Sequence, residues 1–175
     1  LPLDHCFAHV VGFYIMMSVG ATAATTQVGR TPLETLKNIP LNIKEVRPHF
    51  ILSVPALAKT FKKNIEQGIR AKGPTAVRLF NWGMKVRQVY FGDSNLDFKG
   101  FRLFLKPLVW FFDRIIFSKV RENFGGELRS SIGGGALLDK DLQKFYVGIG
   151  KPMFQGYGLS EATPVISSNG PGLYR

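Results

Sequence analysis

The spacing of apolar residues divides the chain into segments of two periods. Ala8 to Val19 reads as a helix, Ala21 to Gln27 as a strand, and TPLETLKNI at 31–39 as a helix. Thr31 starts that helix, with proline at its first position and Glu34 three residues on. HFILSV at 49–54 is a short run typical of a buried strand. Pro55 ends it and opens an amphipathic helix whose apolar positions Leu57, Phe61, Ile65 and Ile69 recur every fourth residue until Gly73 closes it. Residues 74–92 and 99–123 predict two further helices joined by the turn-rich GDSN. The last third reads as strand LRSSIGG (128–134), helix LDKDLQKFYVGIG with Asp139 near its start, and strand PMFQGYG ending in glycine. This order of strand, glycine turn, helix and strand predicts an α/β fold: a mainly parallel sheet with flanking helices, whose ligands lie at the carboxyl ends of the strands. Residues 56–123 read as a helical insertion between two sheet strands.

Composition narrows the class. A chain of 175 residues, 45% hydrophobic, can bury a sizeable core, so disorder is not expected. The single cysteine, Cys6, excludes an internal disulfide framework; it fits a reducing, cytoplasmic compartment and reads as a small buried hydrophobe. The uncharged stretch from Cys6 to Gln27 contains histidine, glycines and threonines, which makes it a marginal membrane span, and no basic start marks a signal peptide. Cys6 to Gly20 is expected to be a buried helix. The first residue is leucine and the sequence stops abruptly at GPGLYR, so a piece of a larger protein is expected.

Charge is distributed unevenly. Residues 59–121 carry fourteen Lys or Arg against four acids, whereas the flanking segments are close to neutral. The same segment holds twelve of the 22 aromatic residues. Cations interleaved with aromatics suit an anionic membrane surface or nucleic acid. Nucleic acid is not expected, because no helix-turn-helix, zinc-ligand set or RNA-binding aromatic signature is present. The alternative to the membrane is that Phe101, Phe104, Leu105, Leu108 and Phe112 face the core while the lysines form a solvated face.

Candidate chemistry gathers at two glycine clusters, IGGGA at 132–136 and QGYG at 155–158, each expected immediately after a strand and along one sheet edge. Glycine there lets backbone approach a ligand closely, and Tyr157 between two glycines can lay its ring on a planar base; a plain turn is the alternative. Ser160 and Glu161 follow directly. A hydroxyl can bond a phosphate oxygen, and a carboxylate can hold Mg²⁺ beside a nucleotide.

GYGLSEATPVIS closely resembles the YGxTE signature of the adenylate-forming (AMP-binding) enzymes, the superfamily of acyl-CoA synthetases, luciferases and peptide-synthetase adenylation domains. IGGGALL resembles its SGGAPL loop, LPLDH its PLxH segment, and ILSVPAL the strand and proline before its acyl-pocket helix. The likeness covers nearly the whole chain in the same order. The insertion followed by FDRIIFSKVRENFGGELRSSIGGGALL looks most like long-chain fatty acid-CoA ligases. The resemblance implies the central part of the large N-terminal AMP-binding domain over residues 1–175, and a two-step use of ATP, Mg²⁺ and coenzyme A on a long-chain fatty acid. It further implies that Gly134, Gly135 and Ala136 flank the adenine, with Tyr157 stacked on it and Gln155, Gly156 and Gly158 as close neighbours. Ser160 would bond the α-phosphate, Glu161 would coordinate Mg²⁺, and His5 would lie near the acyl carboxylate; a hydrogen-bonded histidine at a helix start is the other reading of His5. A shorter or aryl acid remains an alternative substrate. A cytoplasmic enzyme held at the inner face of a membrane through 59–121 is expected, and self-association is common in the family.

This sequence departs from the pattern at four points. Gly133 stands where the loop often has serine, Leu137 where it often has proline, and Ser160 where threonine is usual; His9 lies near the place of an aromatic gate. The lysine-bearing phosphate loop, the downstream ribose aspartate and the C-terminal domain with its lysine are not in these 175 residues, so this chain alone is not expected to make acyl adenylate.

Overall fold

The computed structural model describes residues 5–91, 99–162 and 165–170, with the backbone alone at 99–103. Four strands, β1 (Phe50–Ser53), β2 (Ser130–Gly133), β3 (Met153–Tyr157) and β4 (Ser167–Ser168), form one sheet in the order β1-β2-β3-β4. The first three are parallel, with Leu52 opposite Ile132 and Gly133 opposite Gln155; β4 runs antiparallel to β3. The expected α/β class with a mainly parallel sheet is therefore present.

Parallel neighbours need a crossover, and β1 reaches β2 through α4 (Pro55–Arg70), α5 (Pro74–Phe91), α6 (Lys99–Phe112), a π turn at Asp113–Phe117 and α7 (Ser118–Glu122). β2 reaches β3 through α8 (Lys140–Gly148), which Asp139 caps by accepting from Asp141 N–H at 2.9 Å. The crossover helices share one core with α8: Phe80 and Met84 of α5, Phe112, Phe117 of the π turn, and Leu142 and Phe145. Phe112 and Phe117 are fully enclosed, and burying each contributes roughly 2–3 kcal/mol. Tyr146 of α8 donates its hydroxyl to Ala58 O at 2.9 Å, which ties α8 to α4, and burial pushes the phenol's pKa up. Lys151, just before β3, donates to the carbonyls of Leu128 and Gly126 and so links the approach to β3 with the approach to β2. Burial, then the charge of Arg121, lowers its pKa.

Several sequence expectations change. Ala21 to Gln27 is exposed non-strand chain: Gln27 N–H donates to Asn42 Oδ1 and Asn38 to Gln27 O, so its polar backbone is held by side chains of the next helix instead of by a partner strand. That helix, α3 (Pro32–Val46), does not stop at 39 but runs through Pro40, and Thr31 caps it by accepting from Glu34 N–H. The first helical stretch comprises α1 (Cys6–His9), a π turn at Val10–Tyr14 and α2 (Ile15–Ser18). It is not buried throughout. Phe7, Ala8 and Val11 are covered, while Phe13, Tyr14, Ile15 and Met17 are exposed. GDSN lies outside the described residues.

Candidate functional site

Parallel pairing of β2 and β3 brings the two glycine clusters to one sheet edge, as expected for the carboxyl ends of the strands. They are not placed alike. Gly133 ends β2 and the loop 134–138 follows it, whereas Gln155, Gly156 and Tyr157 belong to β3 itself, and only Gly158 lies beyond the strand. Glycine at 156 answers a packing need, since a Cβ there would meet Ile132 Cγ2 at 3.3 Å. Gly135 is different: its φ of +81° is open to glycine, and a Cβ would meet nothing within 4 Å.

The Gln155 side chain fixes this loop. Its Oε1 accepts from Leu138 N–H at 2.6 Å, and its Nε2 donates to Ala136 O at 3.1 Å and to Gly156 O at 3.0 Å. Gly134 N–H donates to Ser53 O at 3.3 Å, so the loop is held from β1 and from β3. Sequence reasoning gave Gln155 only a backbone part; nothing in QGYG signals that its amide spans the loop. The loop's own surface remains free: Leu137 is 88% exposed and Tyr157 58% exposed, so the tyrosine ring is available to a planar partner.

The start of α1 meets the same edge. A Cβ on Gly134 would lie 3.4 Å from the Phe7 ring, in ordinary contact, and Cys6 Sγ lies 3.7 Å from Ser160 Oγ. Cys6 is thus half-buried beside a candidate site residue, not the fully buried hydrophobe expected from sequence. His5 is exposed and caps α1: its Nδ1 accepts from Phe7 N–H at 3.2 Å. In neutral imidazole this leaves the proton on Nε2, which is free to donate outward. The helix-start role of His5 is therefore present, and its position at the edge leaves the substrate role open to test. Ser160 and Glu161 form the exposed single turn Ser160–Ala162 just after β3, and β4 stays beside β3 through Ile166 N–H to Tyr157 O at 2.9 Å.

Among the described residues no three His, Cys, Asp or Glu side chains converge as a metal cage. One exposed carboxylate fits a different mode. Mg²⁺ commonly takes one or two carboxylates and completes its shell with phosphate oxygens and water, and Glu161 beside the glycine edge can supply that single ligand.

The local geometry yields a differential prediction. Gly135→Ala is expected to cost about 1–2 kcal/mol through left-handed strain, while Gly134→Ala, whose new methyl meets only Phe7 at contact distance, stays within about 0.5 kcal/mol. Urea unfolding of both variants measures the difference.

The model of the AMP-binding enzyme family matches residues 1–174. Long chain acyl-CoA synthetase 8 of Arabidopsis thaliana is 30% identical over 92% of this chain and 22% of its own length. Long-chain-fatty-acid--CoA ligase FadD15 of Mycobacterium bovis is 28% identical over 93% of this chain and 25% of its own, and long-chain-fatty-acid--CoA ligase 3 of Saccharomyces cerevisiae 29% over 92% and 21%. This chain thus spans about a quarter or less of these curated relatives. No solved structure matches it.

Proposed function

Because the chain belongs to the AMP-binding enzymes, we propose that it supplies the adenine, phosphate and acyl-carboxylate surroundings of an ATP-dependent long-chain fatty acid-CoA ligase. The observation that carries this reading is the gathering of loop 134–138, Tyr157, Ser160 and the start of α1 at the carboxyl end of β2 and β3. In the first step a carboxylate oxygen of the fatty acid attacks the α-phosphorus of ATP, the bond to the β-phosphate bridging oxygen breaks, and pyrophosphate leaves. In the second, the thiol of coenzyme A loses its proton, its sulfur attacks the acyl carbon, and AMP departs with the former carboxylate oxygen.

Each residue has a limited task. Tyr157 offers its exposed ring to the adenine between backbone that Gln155 holds in place. Ser160 Oγ–H would donate to an α-phosphate oxygen, Glu161 would offer one carboxylate to Mg²⁺, and Nε2–H of His5 would donate to the acyl carboxylate. Bound Mg²⁺ would neutralise phosphate charge as it builds in the transition state. ATP–pyrophosphate exchange by the full-length protein, with acids from acetate to oleate and an aryl acid, tests the reading. Stimulation by the long acids is expected. Stimulation by acetate or the aryl acid alone would replace the substrate class.

The likeness to long-chain ligases also bears on the basic segment. Phe104 is 81% exposed and Trp110 64% exposed, Phe111 and Ile115 are exposed along α6 and the following turn, and Lys106, Arg114 and Lys119 are exposed in the same stretch of chain. Phe112 is buried and Leu105 and Leu108 are half-buried, so the helix divides its apolar residues between core and surface; the surroundings of Phe101 lie outside the described residues. Open aromatics among cations favour a peripheral seat on an anionic membrane. Among the described residues no helix is long and apolar enough to cross one. Three such cations contribute on the order of 3 kcal/mol, about a hundredfold in partitioning at low salt. Co-sedimentation with phosphatidylserine vesicles should show that gain fading in high salt; equal pelleting with neutral vesicles would rule out this surface.

A further inference from the structure

Two glutamine side chains from different elements brace loop 134–138. Gln155 of β3 and Gln143 of α8 meet at Leu138: Gln155 Oε1 accepts its N–H at 2.6 Å, and Gln143 Nε2 donates to its carbonyl at 3.2 Å. Gln155 Nε2 donates further to Ala136 O and Gly156 O. These partners fix the orientation of the Gln155 amide, since an N–H only donates and a carbonyl only accepts. Leu138 is 2% exposed, whereas Gly135, Ala136 and Leu137 are exposed. The brace therefore secures the far end of the loop and leaves its apex open. Three consecutive glycines, Gly133 to Gly135, run from β2 into this apex, and glycine loses more conformational freedom on ordering than any other residue.

We propose that Gln155, assisted by Gln143, is a positioning residue for the nucleotide: the two side chains order the glycine loop before ATP arrives, so binding does not have to order it. The inference rests on the adenine surroundings proposed above. Neither side chain needs to touch the base, because the effect runs through the backbone of 134–138. Three side-chain hydrogen bonds at Gln155 against one at Gln143 set the order of their effects. A merely structural role would lower the amount of active protein and with it the apparent kcat. A preordered loop acts on ATP affinity instead. Gln155→Glu separates these roles further: the new carboxyl can still accept from Leu138 N–H, but it turns its second oxygen toward the carbonyls of Ala136 and Gly156. Ionised, it cannot donate to them; protonated, it donates to one.

Equilibrium dialysis of radiolabelled ATP against the full-length protein, beside oleate-dependent ATP–pyrophosphate exchange, tests the proposal. Gln155→Met, close in length and without the amide, is expected to weaken ATP binding about tenfold, and Gln143→Ala about threefold. In both, kcat and the oleate KM should stay within about twofold of the wild type. Gln155→Glu should match Gln155→Met near pH 8 and regain most of the wild-type affinity near pH 5. Wild-type ATP affinity in Gln155→Met, or a loss confined to kcat, would overturn the proposal. So would a Gln155→Glu affinity that keeps a constant ratio to the wild type across that pH range. A wild-type protein that binds ATP without oleate-dependent exchange would overturn the ligase reading and leave the dialysis result standing.

Discussion

Replacing Glu161 with alanine in the full-length protein is expected to lower oleate-dependent ATP–pyrophosphate exchange by about a hundredfold, the usual loss when one group that stabilises transition-state charge is removed. Glu161 is exposed on the short turn after β3, and it makes no hydrogen bond or ion pair among the described residues. Its removal should therefore leave the unfolding midpoint within the small range typical of surface substitutions, about 0.5 kcal/mol. A function-specific loss without a stability loss is the signature expected of a ligand-facing carboxylate. Ser160→Ala should be milder, about tenfold, because one hydrogen bond to a charged phosphate oxygen contributes roughly 1.5 kcal/mol. Unchanged exchange in Glu161→Ala would remove the carboxylate from the reaction and with it the proposed place of Mg²⁺.

The largest stability effect is expected far from that edge, at Asp113. Its carboxylate accepts from Arg121 through two parallel bonds of 2.6 Å, and from Arg87 Nη1 at 2.5 Å. Arg87 is only 4% exposed; its Nε donates to Gly148 O, and its guanidinium lies over the rings of Phe91 and Phe117 at 5.0 and 4.8 Å. Burial lowers the pKa of Arg87 against the opposing pull of Asp113. Asparagine at 113 would leave that buried charge without a counterion. Breaking a fully buried pair costs about 3–5 kcal/mol. Here the carboxylate side chain is 34% exposed and water screens part of the attraction, so about 2–3 kcal/mol is expected for Asp113→Asn.

The pH dependence has a definite sign. The hydrogen bond from Arg121, then the charges of Arg121 and Arg87, hold the Asp113 carboxyl below the ordinary carboxylate range. Its stabilisation is thus complete above the unfolded value, near pH 4, and is lost as pH falls through the lower folded value. The gap between the urea midpoints of the wild type and Asp113→Asn should be widest at pH 7 and narrow as pH falls below about 4. Equal midpoints at pH 7 would show that Arg87 does not depend on this partner.

What the sequence made legible was mostly what neighbouring residues decide. Thr31 and Glu34 announced a helix start, and Thr31 does cap α3; the fourfold spacing from Leu57 to Ile69 corresponds to α4. Both glycine clusters, together with Ser160 and Glu161, were marked by their residue types before any fold was known. The misses have long-range causes. Ala21 to Gln27 has strand-like residues, but strand formation needs a partner, and the partners it found are the side chains of Asn38 and Asn42. The helix expected over 31–39 runs on through Pro40, although proline within a helix forfeits a hydrogen bond, and places Ile43 in the core. Gln155 looked like a passive neighbour because its loop partners lie 17 and 19 residues away. The Arg87–Asp113–Arg121 cluster depends on how helices from separate parts of the chain meet. In the charge pattern its arginines were merely part of a basic segment.

The proposed reaction is attack of a carboxylate on the α-phosphorus of ATP at the carboxyl end of β2 and β3. The most direct measurement is to follow the label when the full-length protein turns over oleate carrying ¹⁸O in both carboxylate oxygens with ATP, Mg²⁺ and coenzyme A. Oleoyl-CoA, pyrophosphate and AMP containing one ¹⁸O atom are the expected products. Unlabelled AMP, or ADP with ¹⁸O in inorganic phosphate, would contradict that reaction.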